Sequence, residues 1–297
     1  MLPSDRDRSP AAILQGEVSL SLYTSARVGG PARHFAKPRD VRQVIGVLAW
    51  SKASSISVLP LGGGTNLLVS DRGYDGVVIH LGSLCGVEAT GGERWTVAAG
   101  EPLAAVAQRA CDQGLSGLEW ACGIPGTVGG AAVMNSGCAR GCMADVVTHV
   151  VCATSDRTEV VPASAMAYGY RTSALQTRSM DGLISEVELR LVRSTSQKTR
   201  AAARTQLTER ERTIPRGASF GCAFRNPPAG PPAGALLDQA GCKGLREGGA
   251  VVSSQHANFI LNDGSATATQ ILRLLEQMKA RVLNRFAIEL QEEVVVV

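Results

Sequence analysis

The chain has 297 residues, a net charge of +4 at neutral pH, and is 44% hydrophobic, 19% charged and 4% aromatic. That length suits two domains, with a core that buries roughly three quarters of the unfolded surface without staples. The thirty basic residues are scattered among twenty-six acidic ones, and aromatics are few, so neither a nucleic-acid footprint nor a membrane-binding face is expected.

Along the chain, residues 1–20 read as a flexible arm, and whether the first sixteen are native or a targeting segment stays open. Asp40 is placed to cap a helix over 41–51 with Val41, Val44, Ile45 and Leu48 on one face. Strands are predicted at 56–61, 77–81 and 95–99. A helix over 101–113 turns Leu103, Val106, Ala107, Ala110 and Cys111 inward, and Gly114 ends it in a left-handed conformation. Residues 184–193 alternate apolar and polar, as a half-buried antiparallel strand does. The polar stretch 194–213 reads as a surface linker leading into a helix and marks a domain break near 195. A last helix spans about 266–285, with Ile271, Leu274, Leu275, Met278 and Val282 in register and Ser265 or Thr267 as cap. A strand at 293–297 closes the chain.

Eight cysteines are present without a CxxC pair, and Cys138 and Cys142 lack the companions of a metal site, so no metal is expected. No export signal or bilayer-length apolar run is visible; the expected setting is the cytoplasm, with reduced thiols.

Two glycine-rich turns carry the chemistry. The first, Gly62, Gly63, Gly64, Thr65, Asn66 and Leu67, follows a strand, and the second runs from Gly123 through Ile124, Pro125, Gly126, Thr127, Gly129 and Gly130 to Asn135. Clustered glycines let the backbone take positive φ and let a diphosphate approach closely. No lysine–hydroxyl pair ends either turn, so the ATP-loop pattern fails. Leu67 stands where a dinucleotide fingerprint needs its third glycine. Two such turns about sixty residues apart suit a long dinucleotide held from two sides.

The strings TSARVGGPA, PLGGGTNLLVSDRGYDGVVI and GIPGTVGGAAVMNSG resemble the UDP-N-acetylenolpyruvoylglucosamine reductase family of peptidoglycan synthesis. YGYRTS at 168–173, GCAFRNP at 221–227, AGCKG at 240–244 and ELQEEV at 289–294 follow in the family's order, so the resemblance runs from about Tyr23 to the C-terminus. It implies an α+β fold: a two-lobed FAD-binding domain of the PCMH/vanillyl-alcohol-oxidase type over 21–195, with lobes of about 21–85 and 86–195, and a UDP-sugar-binding domain over 200–297. It implies non-covalent FAD, NADPH as reductant, and reduction of the enolpyruvyl ether of a UDP-sugar to UDP-N-acetylmuramate by a monomer or weak oligomer.

By the same resemblance, Arg171 meets the substrate carboxylate, Glu293 acts with it on the enol, and Cys222 is the proton donor where the family has serine. Glu292 is the rival of Glu293, since strand alternation lets only one face the site. Tyr168, Arg225, Asn226 and Lys243 are the substrate-binding candidates, and His256 reads as structural. The chain departs from the family at Val295, where arginine is common, and in the spacing of Pro215 to Cys222, shorter by about one residue. It lacks the inserted tyrosine loop and so fits the shorter subtype. The alternatives are another FAD-dependent oxidoreductase of this fold, although the N-terminal loops offer no histidine close by to tether flavin and His34 and His80 are the only candidates, and a non-catalytic flavin- or nucleotide-sugar-binding descendant.

Overall fold

A computed structural model describes residues 13–297. Residues 1–12 of the expected arm lie outside it, but residues 14–19 of that arm form a strand, β1 (Leu14–Ser19), and Leu20 is fully buried. After β2 (Pro31–Ala36) comes α1 (Val41–Ala53), whose Asp40 cap accepts from Gln43 N at 2.9 Å. The buried face of α1 is Val44, Val47 and Ser51, with Val41, Ile45 and Leu48 only partly covered. β3 (Val58–Leu61) runs straight into the first glycine turn, and β4 (Leu67–Leu68) and β5 (Tyr74–His80) follow it. The sheet order is β1-β2-β5-β3, with β3 and β5 parallel.

Next come β6 (Val87–Ala89), β7 (Arg94–Ala98), α2 (Leu103–Asp112) and β8 (Leu115–Ser116). The five residues of α2 expected inward are all buried, and Gly114 has φ of +71°. α3 (Val128–Val133) grows out of the second glycine loop, followed by the short pair β9 (Gly137–Cys138) and β10 (Gly141–Cys142). β11 (Val147–Ala153), β12 (Thr158–Pro162) and β13 (Leu183–Arg190) complete an antiparallel sheet of order β12-β11-β13-β7-β6. The alternating stretch at 184–193 is divided: Leu191 separates β13 from β14 (Val192–Arg193), which pairs with β8. The polar stretch is itself a helix, α4 (Ser196–Thr213), burying only Thr199, Ala203 and Gln206.

α5 (Ala233–Gln239), β15 (Arg246–Glu247), β16 (Ala250–Val252), β17 (Ile260–Asn262), α6 (Ala268–Phe286) and β18 (Val295–Val296) end the chain. All five predicted inward residues of α6 are buried, and Thr267 caps it in a reciprocal capping box with Gln270. Only two residues of the terminal valine run form strand, paired in parallel with β4.

The chain divides into two compact units, each discontinuous in sequence. Among the described residues, the first comprises 13–16, 34–63 and 75–209; the second comprises 17–33, 64–74 and 210–297. The first unit holds two apolar clusters, one under α1 and β5, the other between α2, α3 and the sheet of β7, β11 and β13. The second unit has its own core of α5, α6 and β16, to which Ala26, Val28 and Leu68 contribute.

Candidate functional site

In the first unit the two glycine turns meet backbone to backbone. A Cβ on Gly63 would stand 2.9 Å from Gly126 Cα, and one on Gly62 would stand 2.5 Å from Thr127 Oγ1, so side chains here would push the turns apart. The second loop is clamped to its surroundings: Leu103 N donates to Gly126 O at 3.0 Å and Val128 N to Glu101 O at 2.9 Å. Thr127 caps α3, its hydroxyl accepting from Gly130 N at 3.4 Å. Gly129 donates its N–H to Ala99 O at 2.9 Å and is buried there, so this expected cofactor residue packs α3 against the end of β7. Gly123 and Pro125 are exposed, while Ile124 packs on the core.

Arg171 sits at the third position of a tight turn from Gly169 to Thr172, closed by Gly169 N to Thr172 O at 3.1 Å. Its φ of +57° is left-handed, a conformation that costs a non-glycine residue about 1 kcal/mol or more and persists where surroundings impose it. Its Nη2 donates to Gly137 O at 2.7 Å. Asn135, expected to bind cofactor, has its amide engaged elsewhere: Nδ2 donates to Gly169 O at 2.8 Å and Oδ1 accepts from Ala144 N at 2.9 Å. Tyr168 lies partly buried on the same core. Its hydroxyl is buried with no hydrogen-bond partner among the described residues, and burial pushes its pKa up, with Cys152 and Cys142 adding to the effect.

The remaining part of the first turn belongs to the second unit, with Cys222 and Glu293. Gly64 has φ of +60°, and a Cβ there would collide with Tyr23 O. Ser25 links that turn to the cysteine segment, its N donating to Gly64 O at 3.0 Å and its hydroxyl to Ser219 O at 2.6 Å. Residues 222–225 run between two segments. On one side Ala223 N donates to Asn258 O at 2.8 Å; on the other Glu293 N donates to Ala223 O at 2.8 Å and Arg225 N to Gln291 O at 2.9 Å. Asn66 Nδ2 donates to Glu293 O at 3.0 Å, and Val295 N to Asn66 O at 3.0 Å. Thus Asn66 and Glu293 share one network with Ala223, the neighbour of Cys222, while Leu67 pairs with Val295. Glu292 pairs with Lys279 of α6 at 2.9 Å, and the strand expected to begin at 293 forms only at Val295–Val296, so the two glutamates lie before it.

The other candidates have local partners. Asn226 Oδ1 accepts from Ala233 N at 3.0 Å, starting α5, and Lys243 pairs with Asp238 at 2.7 Å on the surface. Arg225 Nε is buried with no hydrogen-bond partner among the described residues. His256 is hydrogen-bonded and packed: Nδ1 accepts from Asn258 N at 3.2 Å, its ring meets Phe259 edge-on at 5.0 Å, and burial lowers its pKa. The sequence reading missed Asn258, which is 2% exposed and holds Phe224 by both amide atoms at 2.9 and 2.8 Å. Only its place in the string SSQHANF could have flagged it. Ser25 was visible in TSARVGGPA, but its bonds to distant carbonyls were not.

Glycine turns closed to side chains in an α+β unit suit a protein that holds a nucleotide cofactor, and the comparisons specify the cofactor class. Residues 32–161 match the FAD binding domain family, and residues 213–297 match the family described as UDP-N-acetylenolpyruvoylglucosamine reductase, C-terminal domain. The UDP-N-acetylenolpyruvoylglucosamine reductase of Desulfosudis oleivorans is 41% identical over 289 residues, covering 94% of this chain and 92% of the relative. That of Anaeromyxobacter dehalogenans is 41% identical, covering 94% and 84%. The crystal structure of the Thermus caldophilus enzyme matches with a TM-score of 0.82 and 34% identity, covering 95% of this chain and 98% of that one. The chain belongs to the UDP-N-acetylenolpyruvoylglucosamine reductase family.

Proposed function

We propose that the protein is an NADPH-dependent flavoenzyme that reduces the enolpyruvyl ether of UDP-N-acetylglucosamine to UDP-N-acetylmuramate for peptidoglycan synthesis. The observation that carries this reading is coverage: relatives of that name match 94% of the chain at 41% identity, spanning both the FAD-binding segment and the C-terminal domain.

The residues present fit FAD. The turn at Gly62 and Gly63 and the loop at Gly126 are closed to side chains, leaving main chain to line a diphosphate. FAD, recharged by NADPH, supplies the hydride when bound. The enol ether is conjugated to a carboxylate, so hydride joins the terminal carbon and negative charge develops at the carbon bearing the ether. A proton delivered to that carbon completes the reduction. Arg171 carries a planar cation suited to the carboxylate and to the developing enolate. Cys222 delivers the proton. A thiol with an ordinary pKa of about 8.5 is a far stronger acid than an aliphatic hydroxyl. Glu293 acts with Arg171 on the enol, a choice favoured by the engagement of Glu292 with Lys279.

Further features of the reading are a FAD-binding region within 21–195, a UDP-sugar-binding region within 200–297, and substrate contacts from Arg225 and Tyr168. Among the described residues no helix is long and apolar enough to cross a membrane. The water-soluble nucleotide reactants fit work in the cytoplasm, as a monomer or weak oligomer. The test is NADPH oxidation with and without the enolpyruvyl UDP-sugar. Substrate-dependent oxidation that falls at least about 100-fold in Arg171→Ala is expected, from the loss of a transition-state charge partner. Oxidation indifferent to the sugar would refute the reading.

A further inference from the structure

The turn carrying Arg171 is fastened to one short segment, residues 133–137, at three points. Ser173 Oγ donates to Val133 O at 2.6 Å, Asn135 Nδ2 to Gly169 O at 2.8 Å, and Arg171 Nη2 to Gly137 O at 2.7 Å. The middle tie has a second anchor, because Asn135 Oδ1 also accepts from Ala144 N at 2.9 Å. The side chain is held at both ends, and the residue is only 8% exposed. Its φ of +41° follows directly on α3, a left-handed position that asparagine tolerates better than most residues.

We propose that Asn135 is a positioning residue for Arg171. It grips the carbonyl of Gly169, where the Arg171 turn begins, and refers that turn to the helix rising from the second glycine loop. The inference rests on Arg171 being the cation that meets the substrate. Arg171 is in a strained backbone conformation that its surroundings must impose. Releasing Gly169 lets the turn relax, so the guanidinium keeps its charge but loses its aim. A misplacement of about 1 Å in such a group costs on the order of 100-fold in rate.

Two substitutions separate this role from a structural or cofactor-holding one. Asn135→Asp keeps the shape and the acceptor for Ala144 N, but sets a carboxylate oxygen against Gly169 O. Asn135→Gly keeps the left-handed backbone and removes the side chain. Each variant is purified with FAD, and the two half-reactions are followed by flavin absorbance: bleaching by NADPH, then recovery on adding the enolpyruvyl UDP-sugar under anaerobic conditions. Both variants are expected to retain FAD and to bleach at the wild-type rate, while recovery slows roughly 10- to 100-fold. If one variant does not fold, the other decides.

Wild-type recovery, equal slowing of both half-reactions, or loss of FAD or of folding in both variants would overturn the proposal. Arg171→Ala is run in parallel. If it recovers at the wild-type rate, the role of Arg171 itself falls, and the positioning role with it. If it is slow while the Asn135 variants are not, only the positioning role falls.

Discussion

Cys222 is partly exposed, and its segment is pinned by backbone hydrogen bonds on both sides, so the thiol is presented by a fixed main chain. On the proposed role of Cys222 as proton donor, Cys222→Ala should lower turnover by roughly 100- to 10,000-fold. Cys222→Ser keeps a weaker acid in place and should fall less. Stopped-flow recovery of flavin absorbance on adding the UDP-sugar measures both, and full turnover in the alanine variant would remove Cys222 from the mechanism. The proposed site residues were chosen by motif: Arg171, Cys222 and Glu293 each stand in a string of recognisable order. Less legible was what their neighbours do. Asn135, Asn226 and Gly129 read as ligand candidates from sequence, and sequence did not show that Gly169 O, Ala233 N and Ala99 O are their protein partners. Those partners are 34, 7 and 30 residues away, beyond any local pattern.

At the level of elements, periodicity worked where one face alone is apolar. α2 and α6 have a single stripe, and every residue expected inward is buried. α1 is apolar around most of its circumference, with Val41, Val44, Ile45, Val47, Leu48 and Trp50, so spacing alone did not choose the face. The start of α6 shows how a distant residue completes an element. Thr267 serves Gln270 N, while Asp71 accepts from Ala268 N at 2.7 Å and Thr269 N at 2.9 Å. Burial alone would raise the Asp71 pKa. The hydrogen bonds from Thr269, Ala268 and Thr267 outweigh it and hold the carboxyl below its ordinary value. Its stabilisation is therefore complete above the unfolded value of about 3.9 and is lost as pH falls through the lower folded value. Asp71→Ala should cost about 0.5–2 kcal/mol at neutral pH, as lost helix caps do, and the difference from wild type should shrink as pH falls through the folded value. Urea unfolding at pH 7 and over a series of pH values descending from 4 checks both. Gly129→Ala would set a Cβ 2.6 Å from Ala99 Cβ, and overpacking of about 1–3 kcal/mol should lower the Tm of the FAD-loaded protein. An unchanged Tm would show that α3 shifts freely.

For the whole molecule, composition placed the break near 195, whereas along the chain the unit changes between 209 and 210, near the end of α4, and composition could not show which earlier segments rejoin the second unit. Residues 17–33 and 64–74 belong to it, and Ala26, Val28 and Leu68 are buried in its core. Nothing in their composition sets them apart from the strands they connect. A fragment of residues 200–297 lacks these side chains and the β4 partner of the terminal strand, and should show no cooperative thermal transition. A sharp, two-state melt of that fragment would contradict this division. The central claim, that one bound flavin carries reducing power from NADPH to an unsaturated UDP-sugar, has a more direct test. The FAD-loaded protein is incubated anaerobically with NADPH and UDP-N-acetylglucosamine enolpyruvate, and the sugar nucleotide is weighed by mass spectrometry. The account predicts a product richer by two hydrogens, formed in step with NADPH consumed and absent when FAD is stripped away. Unchanged sugar nucleotide, with FAD bound and NADPH present, would contradict it.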